Sequence, residues 1–199
     1  MIVEILTTRD DARALADLFA RTMGTGWFPA ASVEKYAATA ASGRRLGLVA
    51  REHETGPLVG GLLGEVVAPG ALSDGFVTGY ETVKDDPRVA GLRAAGPAGL
   101  VSAIAVDENA RGRGAATHLL ETGVAELARR GAAGFFAFAW TTRERGCHVG
   151  GALARNGFVP IHLFPDAYKD FSVAHNCRCP FCAQPCRCSA WLYVRVEAA

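Results

Sequence analysis

The stretch LVSAIAVDENARGRGAATHLL, residues 100–120, constrains this chain more than any other. It reads as a strand, a tight turn and a helix. LVSAIAV is an apolar run suited to a buried strand, and Asp107-Glu108-Asn109 ends it. Ala116, Leu119, Leu120, Val124 and Leu127 then mark one helix face at spacings of three and four, and Gly131 closes that helix. Between them lies Arg111-Gly112-Arg113-Gly114-Ala115. A helix N-terminus exposes unpaired N–H groups and a partial positive charge, so an anion is favoured there. Glycines at 112 and 114 allow the backbone to approach a phosphate, and Arg111 and Arg113 add charge of the matching sign. Taken alone, the pattern also describes a glycine-rich turn with two solvated arginines. No Gly-Lys-Ser/Thr follows, so it is not a Walker-type nucleotide turn.

The chain has 199 residues, enough for one well-filled core, and one domain over 1–199 is expected. Half the residues are apolar and 21% are charged, which argues for a globular protein. The formal charge of +1 is spread over interspersed Arg, Asp and Glu, so neither nucleic acid nor a membrane surface is an expected partner. The start, MIVEILTTRDD, is acidic where a secretion signal would be basic. Cytoplasmic residence is therefore expected, with thiols kept reduced.

Residues 2–6 read as a strand, and 10–23 as a helix with Leu15, Leu18 and Phe19 on one face. A second helix is expected over 32–41 with Ser32 as its N-cap. RLGLVAREHE and PLVGGLLGEVVA read as two strands around a Thr55-Gly56-Pro57 turn. Residues 67–98 lack any sustained period and read as a long loop insertion. GFFAFAW is a strand, a helix is expected over 147–156 with Gly157 as its cap, and FVPIHLF and AWLYVRV are strands. Alternating strands and helices in the second half predict a mixed α/β sheet.

Arg111, Gly114 and Ala116 fit R-x-x-G-x-A, and with the strand, the helix and ALARNGF (152–158) the chain resembles the GNAT acetyltransferase superfamily. The resemblance implies a mostly antiparallel central sheet, flanked by helices and splayed at an acetyl-CoA site. It implies that the amides of Arg111, Gly112, Arg113, Gly114, Ala115 and Ala116 hold the CoA pyrophosphate. It also implies that the edge at Ile104, Ala105 and Val106 pairs with the pantetheine arm. It implies further that this strand splays from the GFFAFAW strand to leave a V, whose second arm ends at Trp140, as a channel wall or a core side chain. The family often uses a Tyr as acid four residues before the Gly-Phe pair 157–158, which here is Leu153. Histone-type relatives carry a Glu near the start of the cofactor strand, and Leu100 stands there.

Glu65 and His148 are the remaining catalytic candidates. Glu65 ends an apolar run and faces either solvent or the acceptor cleft. His148 could move a proton at neutral pH, or simply cap the following helix. His118 lies off the buried stripe, Asp107 suits a turn cap, and Cys147 suits a small buried position.

HNCRCPFCAQPCRC (175–188) gathers five of the six cysteines. Cys179, Cys182, Cys186 and Cys188 offer two chelating pairs, and four thiolates at ~2.3 Å form a closed structural zinc site. Cys177 and His175 are alternates. Ala183 stands where such knuckles usually carry Gly. An iron–sulfur cluster or a redox dithiol is also open. So polar a loop is expected to leave unliganded thiols unburied, which favours metal. This knuckle, 172–188, interrupts the domain before its last strand.

The resemblance implies an acetyl-CoA-dependent N-acetyltransferase, expected to act on a small-molecule amine, with a homodimer left open. A silent CoA-binding sensor is the alternative that Leu153 allows. An interaction protein using the knuckle is the third.

Overall fold

The computed structural model describes residues 1–39, 43–68, 70–72, 80–142, 146–182 and 184–196. In chain order its elements are β1 (Ile2–Ile5), α1 (Arg9–Met23), α2 (Ala30–Ala38), β2 (Arg45–Arg51), β3 (Leu58–Val67), α3 (Pro87–Ala95) and β4 (Ala98–Val106). There follow α4 (Ala115–Arg129), β5 (Gly134–Thr142), β6 (Gly146–Cys147), α5 (Gly150–Arg155), β7 (Val159–Phe164), α6 (Lys169–Ala174) and β8 (Ser189–Val196). The strands form one sheet in the order β1-β2-β3-β4-β5-β8-β7, with β6 paired to β5. Every pair is antiparallel except β4 and β5. A parallel pair needs a long crossover, and α4 provides it. The mixed, mostly antiparallel α/β sheet expected from the sequence is the one formed.

The apolar stripe of α4 explains its seat. Leu119, Leu120 and Leu127 pack against Leu46, Leu48, Leu62 and Phe135. In a second cluster, α1 and α2 bring Leu15, Leu18, Phe19 and Val33 to Val49, Leu63 and Ala103. β4 touches both clusters because of an irregularity at Ser102. Leu63 pairs with Ala103 and Gly64 with Val101, leaving Ser102 as an extra residue in the ladder. Val101 and Ile104 would face opposite ways in a regular strand, yet both join the α4 cluster. Among the described residues no helix is long and apolar enough to cross a membrane.

Four local expectations need correction. The loop over 67–98 contains α3, whose buried side is only Val89 and Leu92, too narrow to announce a period. Pro87 sits in the first turn after the Asp86 N-cap, where its missing N–H costs nothing. Residues 69 and 73–79 of that segment lie outside the described residues. The second helix starts at Ala30 behind Pro29 rather than at a Ser32 cap, and residues 40–42 are outside the description. The helix expected over 147–156 is shortened to α5, because Gly146 and Cys147 pair with Thr142 and Thr141 as β6. Finally, α6 lies before the cysteines, where no helix was expected.

Candidate active site

β4 and β5 pair only at Ala98–Val101 against Gly134–Ala137. Each then stays bonded to its outer neighbour, β4 to β3 as far as Val106 and β5 to β8 as far as Thr141. Held from outside, the two arms part into a V. The inner edge of β4 beyond Val101 has no strand partner among the described residues, so its backbone groups can take an amide-bearing ligand. Ile104, Ala105 and Val106 lie on that arm, and Trp140 lies on the β5 arm.

The β4 arm runs directly into the glycine turn. Asp107 accepts a hydrogen bond from Asn109 N at 3.0 Å, the expected turn cap. Gly112 and Gly114 take left-handed φ values of 78° and 84°, and Gly114 is the N-cap of α4 without any side-chain cap. A Cβ on either glycine would meet nothing within 4 Å. Uncapped helix amides facing cleared space form a cradle that suits a phosphate. Arg111 lines the cleft and donates from Nε to the Val106 carbonyl at 3.3 Å. Arg113 is held elsewhere, its Nη1 2.6 Å from Glu52 Oε1. Arg155, which the sequence reading did not single out, donates to Thr117 Oγ1 in the first turn of α4 at 3.1 and 3.2 Å and lines the cleft.

The V opens into a cleft of about 720 Å³ lined by both Glu65 and His148. Glu65 lies 3.8 Å from Arg45 Nε across the β2–β3 pair. Burial, and then the Glu65 carboxylate, push the Tyr36 phenol up. The His148 ring lies 6.3 Å from that of Phe181. Leu153 is buried against the cleft and offers no phenol there, but Tyr36 and Tyr168 bring phenols from elsewhere in the chain. Tyr168 donates to the Phe138 carbonyl at 3.4 Å, and burial raises its pKa. No local motif marks either tyrosine, since only the tertiary fold brings α2 and the β7–β8 connection to β4 and β5.

The sulfurs of Cys179, Cys182, Cys186 and Cys188 all lie within 4.8 Å of one another. The 179–188 and 182–186 separations are 3.7 Å, and 182–188 is 3.8 Å. A sulfur tetrahedron around a metal at ~2.3 Å has edges of ~3.8 Å, so the spacing fits structural zinc. Phe181 N and Arg187 N each lie 3.3 Å from a sulfur, of Cys179 and Cys182, and such N–H donors orient and support thiolate ligands. Hydrogen bonding between Cys186 and Cys188 draws the Cys188 thiol below its ordinary range and pushes that of Cys186 up, burial pushes the Cys179 thiol up, and Trp140 adds to the lowering at Cys188. Among the described residues the Trp140 indole N–H has no other hydrogen-bond partner. Cys177 stands outside the group, with its thiol directed to the His175 carbonyl at 3.9 Å, and the His175 ring packs on Phe171 at 4.2 Å.

The expectation that a polar loop cannot bury thiols is wrong. Cys177, Cys186 and Cys188 are 1–3% exposed. Cys186 and Cys188 point inward against Phe136, Phe164 and Tyr168, while Arg187 between them points outward. Ala183 lies outside the described residues. The loop is also docked on the α1–α2 connection, where Arg178 N donates to Thr25 O at 2.9 Å. A Cβ on Gly24 would sit 1.9 Å from the Arg178 carbonyl, so only glycine permits this approach.

The β4–β5 pair splays and leads into an uncapped glycine turn, an arrangement that suits a phosphate-bearing ligand with an amide arm. Residues 12–158 match the acetyltransferase (GNAT) family, and the chain belongs to it. The match ends before the cysteine loop. A polyamine N-acetyltransferase of Drosophila melanogaster, which forms N-acetylagmatine, superposes with a TM-score of 0.63 at 16% identity, covering 98% of this chain and 100% of that one. The ribosomal-protein-S18-alanine N-acetyltransferase of Escherichia coli gives 0.60 at 16% identity over 100% and 95%. The aminoglycoside 6'-N-acetyltransferase of Enterococcus faecium gives 0.59 at 12% over 100% and 99%. These likenesses are of fold. No curated protein sequence matches the chain.

Proposed function

We propose that the protein is a single-domain enzyme that transfers the acetyl group of acetyl-CoA to the amine of a small-molecule acceptor. The cleared cradle at Gly112 and Gly114, at the mouth of the V, carries this reading. The amides of Arg111 through Ala116 receive the pyrophosphate, and Ile104, Ala105 and Val106 pair with the pantetheine arm. The acetyl thioester then lies between the two arms. Glu65, directly or through water, takes a proton from the attacking amine as the C–N bond forms. The C–S bond breaks, and His148 supplies a proton to the departing thiolate. Cys179, Cys182, Cys186 and Cys188 bind one zinc. Four thiolates leave no open position on that metal, so its role is structural.

The test is calorimetric titration of acetyl-CoA into the wild type and Gly114→Val. Micromolar binding by the wild type, lost in a variant that keeps its far-UV spectrum, is the expected result. Equal affinity in both proteins would remove the cradle from the account.

A further inference from the structure

The cleft extends past the V to a wall that the acetyl-CoA reading does not use. Trp27 and Phe28 reach it from the α1–α2 connection, Trp140 from the end of β5, and Tyr168, Phe171 and Phe181 from the β7–β8 connection. Five of these rings, those of Trp27, Trp140, Tyr168, Phe171 and Phe181, form one contiguous surface. Trp27 stacks on Phe171 at 5.6 Å and 13°, touches Trp140 at 5.4 Å, and meets Tyr168 edge-on at 5.7 Å. Trp140 continues the surface to Phe181 at 6.2 Å. Three separate chain segments thus converge on one aromatic patch beside the point where the arms part.

The charge in the cleft is equally selective. Among the described lining residues the Asp, Glu, Lys and Arg side chains are Glu65, Arg111 and Arg155. The two arginines belong to the anion end, which leaves one carboxylate on the acceptor side, itself paired with Arg45. A polycation needs several carboxylates to replace its lost hydration, and one cannot serve it. A monoamine on a flat apolar body fits both counts: ring faces for the body and one carboxylate for the amine.

We infer that the acceptor is an arylalkylamine, a primary amine on a short chain attached to an aromatic ring. The inference rests on the acetyl-transfer reading above and specifies its acceptor. Aromatic faces attract the incoming ammonium, and the apolar surroundings then favour its neutral form. The neutral nitrogen attacks the acetyl carbon, the C–N bond forms and the C–S bond breaks. The products are the N-acetylated amine and CoA, whose sulfur takes up one proton as the nitrogen loses one.

The experiment first measures acetyl-CoA binding, then initial rates of CoA release with 2-phenylethylamine, tryptamine, spermidine and a tetrapeptide with a free N-terminus. At least one arylalkylamine should exceed spermidine and the tetrapeptide in kcat/KM by at least about 10-fold. Phe171→Ala and the more exposed Phe181→Ala should each raise the KM for that amine about 10-fold, with kcat and the acetyl-CoA Kd little changed. Phe181 is 39% exposed, so that variant keeps the test valid if Phe171→Ala fails to fold. Failure to bind acetyl-CoA sinks the acetyl-transfer reading and this one with it. Binding of acetyl-CoA with spermidine or the peptide preferred, or with none of the four amines acetylated, overturns the aromatic acceptor alone.

Discussion

The two ends of the cleft are built from different materials. The anion end is backbone: a glycine turn, the amides of α4 and the free edge of β4, all within residues 102–117 and backed by the α4 core. The proposed acceptor end is side chain: rings from three segments, one of them carried on a loop gathered by four sulfurs. A backbone site needs only local conformation, whereas a side-chain site needs distant segments to be fixed against each other. The first should therefore survive damage to the second.

Metal removal breaks that comparison most severely. Thiolate zinc sites of this kind contribute on the order of 10 kcal/mol, so losing the metal should release the loop from the α1–α2 connection. The wild-type protein should contain one zinc per chain, and Cys182→Ser should contain none. Hydrogen exchange should then rise over about 165–190 and stay unchanged over 107–130, because only the first region depends on the cluster. Acceptor turnover should fall while acetyl-CoA affinity holds. Parallel loss of both would show that the two ends are one cooperative unit, and iron in elemental analysis would overturn the zinc assignment.

The reciprocal variant is Gly114→Val. Its side chain enters the cleared space, and a β-branched residue at φ 84° carries a further backbone cost of roughly 1–2 kcal/mol. Acetyl-CoA affinity should fall at least about 100-fold, equivalent to ~2.7 kcal/mol. Zinc content should remain at one per chain. A variant that loses zinc as well would contradict the independence of the two ends.

This division also explains what the sequence disclosed. The strand, turn and helix over 100–129 were legible because their apolar spacing and glycines are local signals of local structure. The four sulfurs were legible because chelating pairs are close in sequence. Trp27, Phe171, Tyr36 and Arg155 were not, since each gains its place only when the sheet brings separate elements together. α3 and α6 were missed because a helix of nine or six residues with one or two buried positions has almost no period to read. The burial of Cys186 and Cys188 was misjudged because the polar residues around them turn outward on a strand-like alternation.

Between the two ends lies the proposed reacting centre, where the expected effects are intermediate. Glu65→Gln and His148→Asn should each lower kcat by ~10², the usual loss on removing a general acid or base. Neither should change zinc content or acetyl-CoA affinity, because neither belongs to the cradle or the sulfur group. Glu65→Gln also frees Arg45 from its partner at 3.8 Å, so a thermal melt should accompany the kinetics. Unchanged kcat in both variants, once an acceptor is in hand, would leave proton transfer to water or to the two phenols.

The smallest effect concerns the arginines, and it sharpens the anion end. R-x-R in the turn suggested that Arg113 supplies charge to the phosphates, but its guanidinium is paired with Glu52, and both side chains are about half exposed. An exposed pair of that kind is screened and contributes less than about 1 kcal/mol, so Arg113→Ala should change acetyl-CoA Kd by less than about 5-fold. Arg155 is placed differently: it holds Thr117 in the first turn of α4 and faces the cleft. Arg155→Ala should weaken acetyl-CoA by about 10-fold, because an arginine beside a phosphate makes charge-assisted bonds. The Arg155→Ala loss should shrink as salt is raised, whereas Arg113→Ala should respond weakly at any ionic strength. If Arg113→Ala proves the more damaging of the two, ligand binding must pull its side chain away from Glu52. Glu52→Ala would then tighten acetyl-CoA binding, by releasing Arg113 in advance.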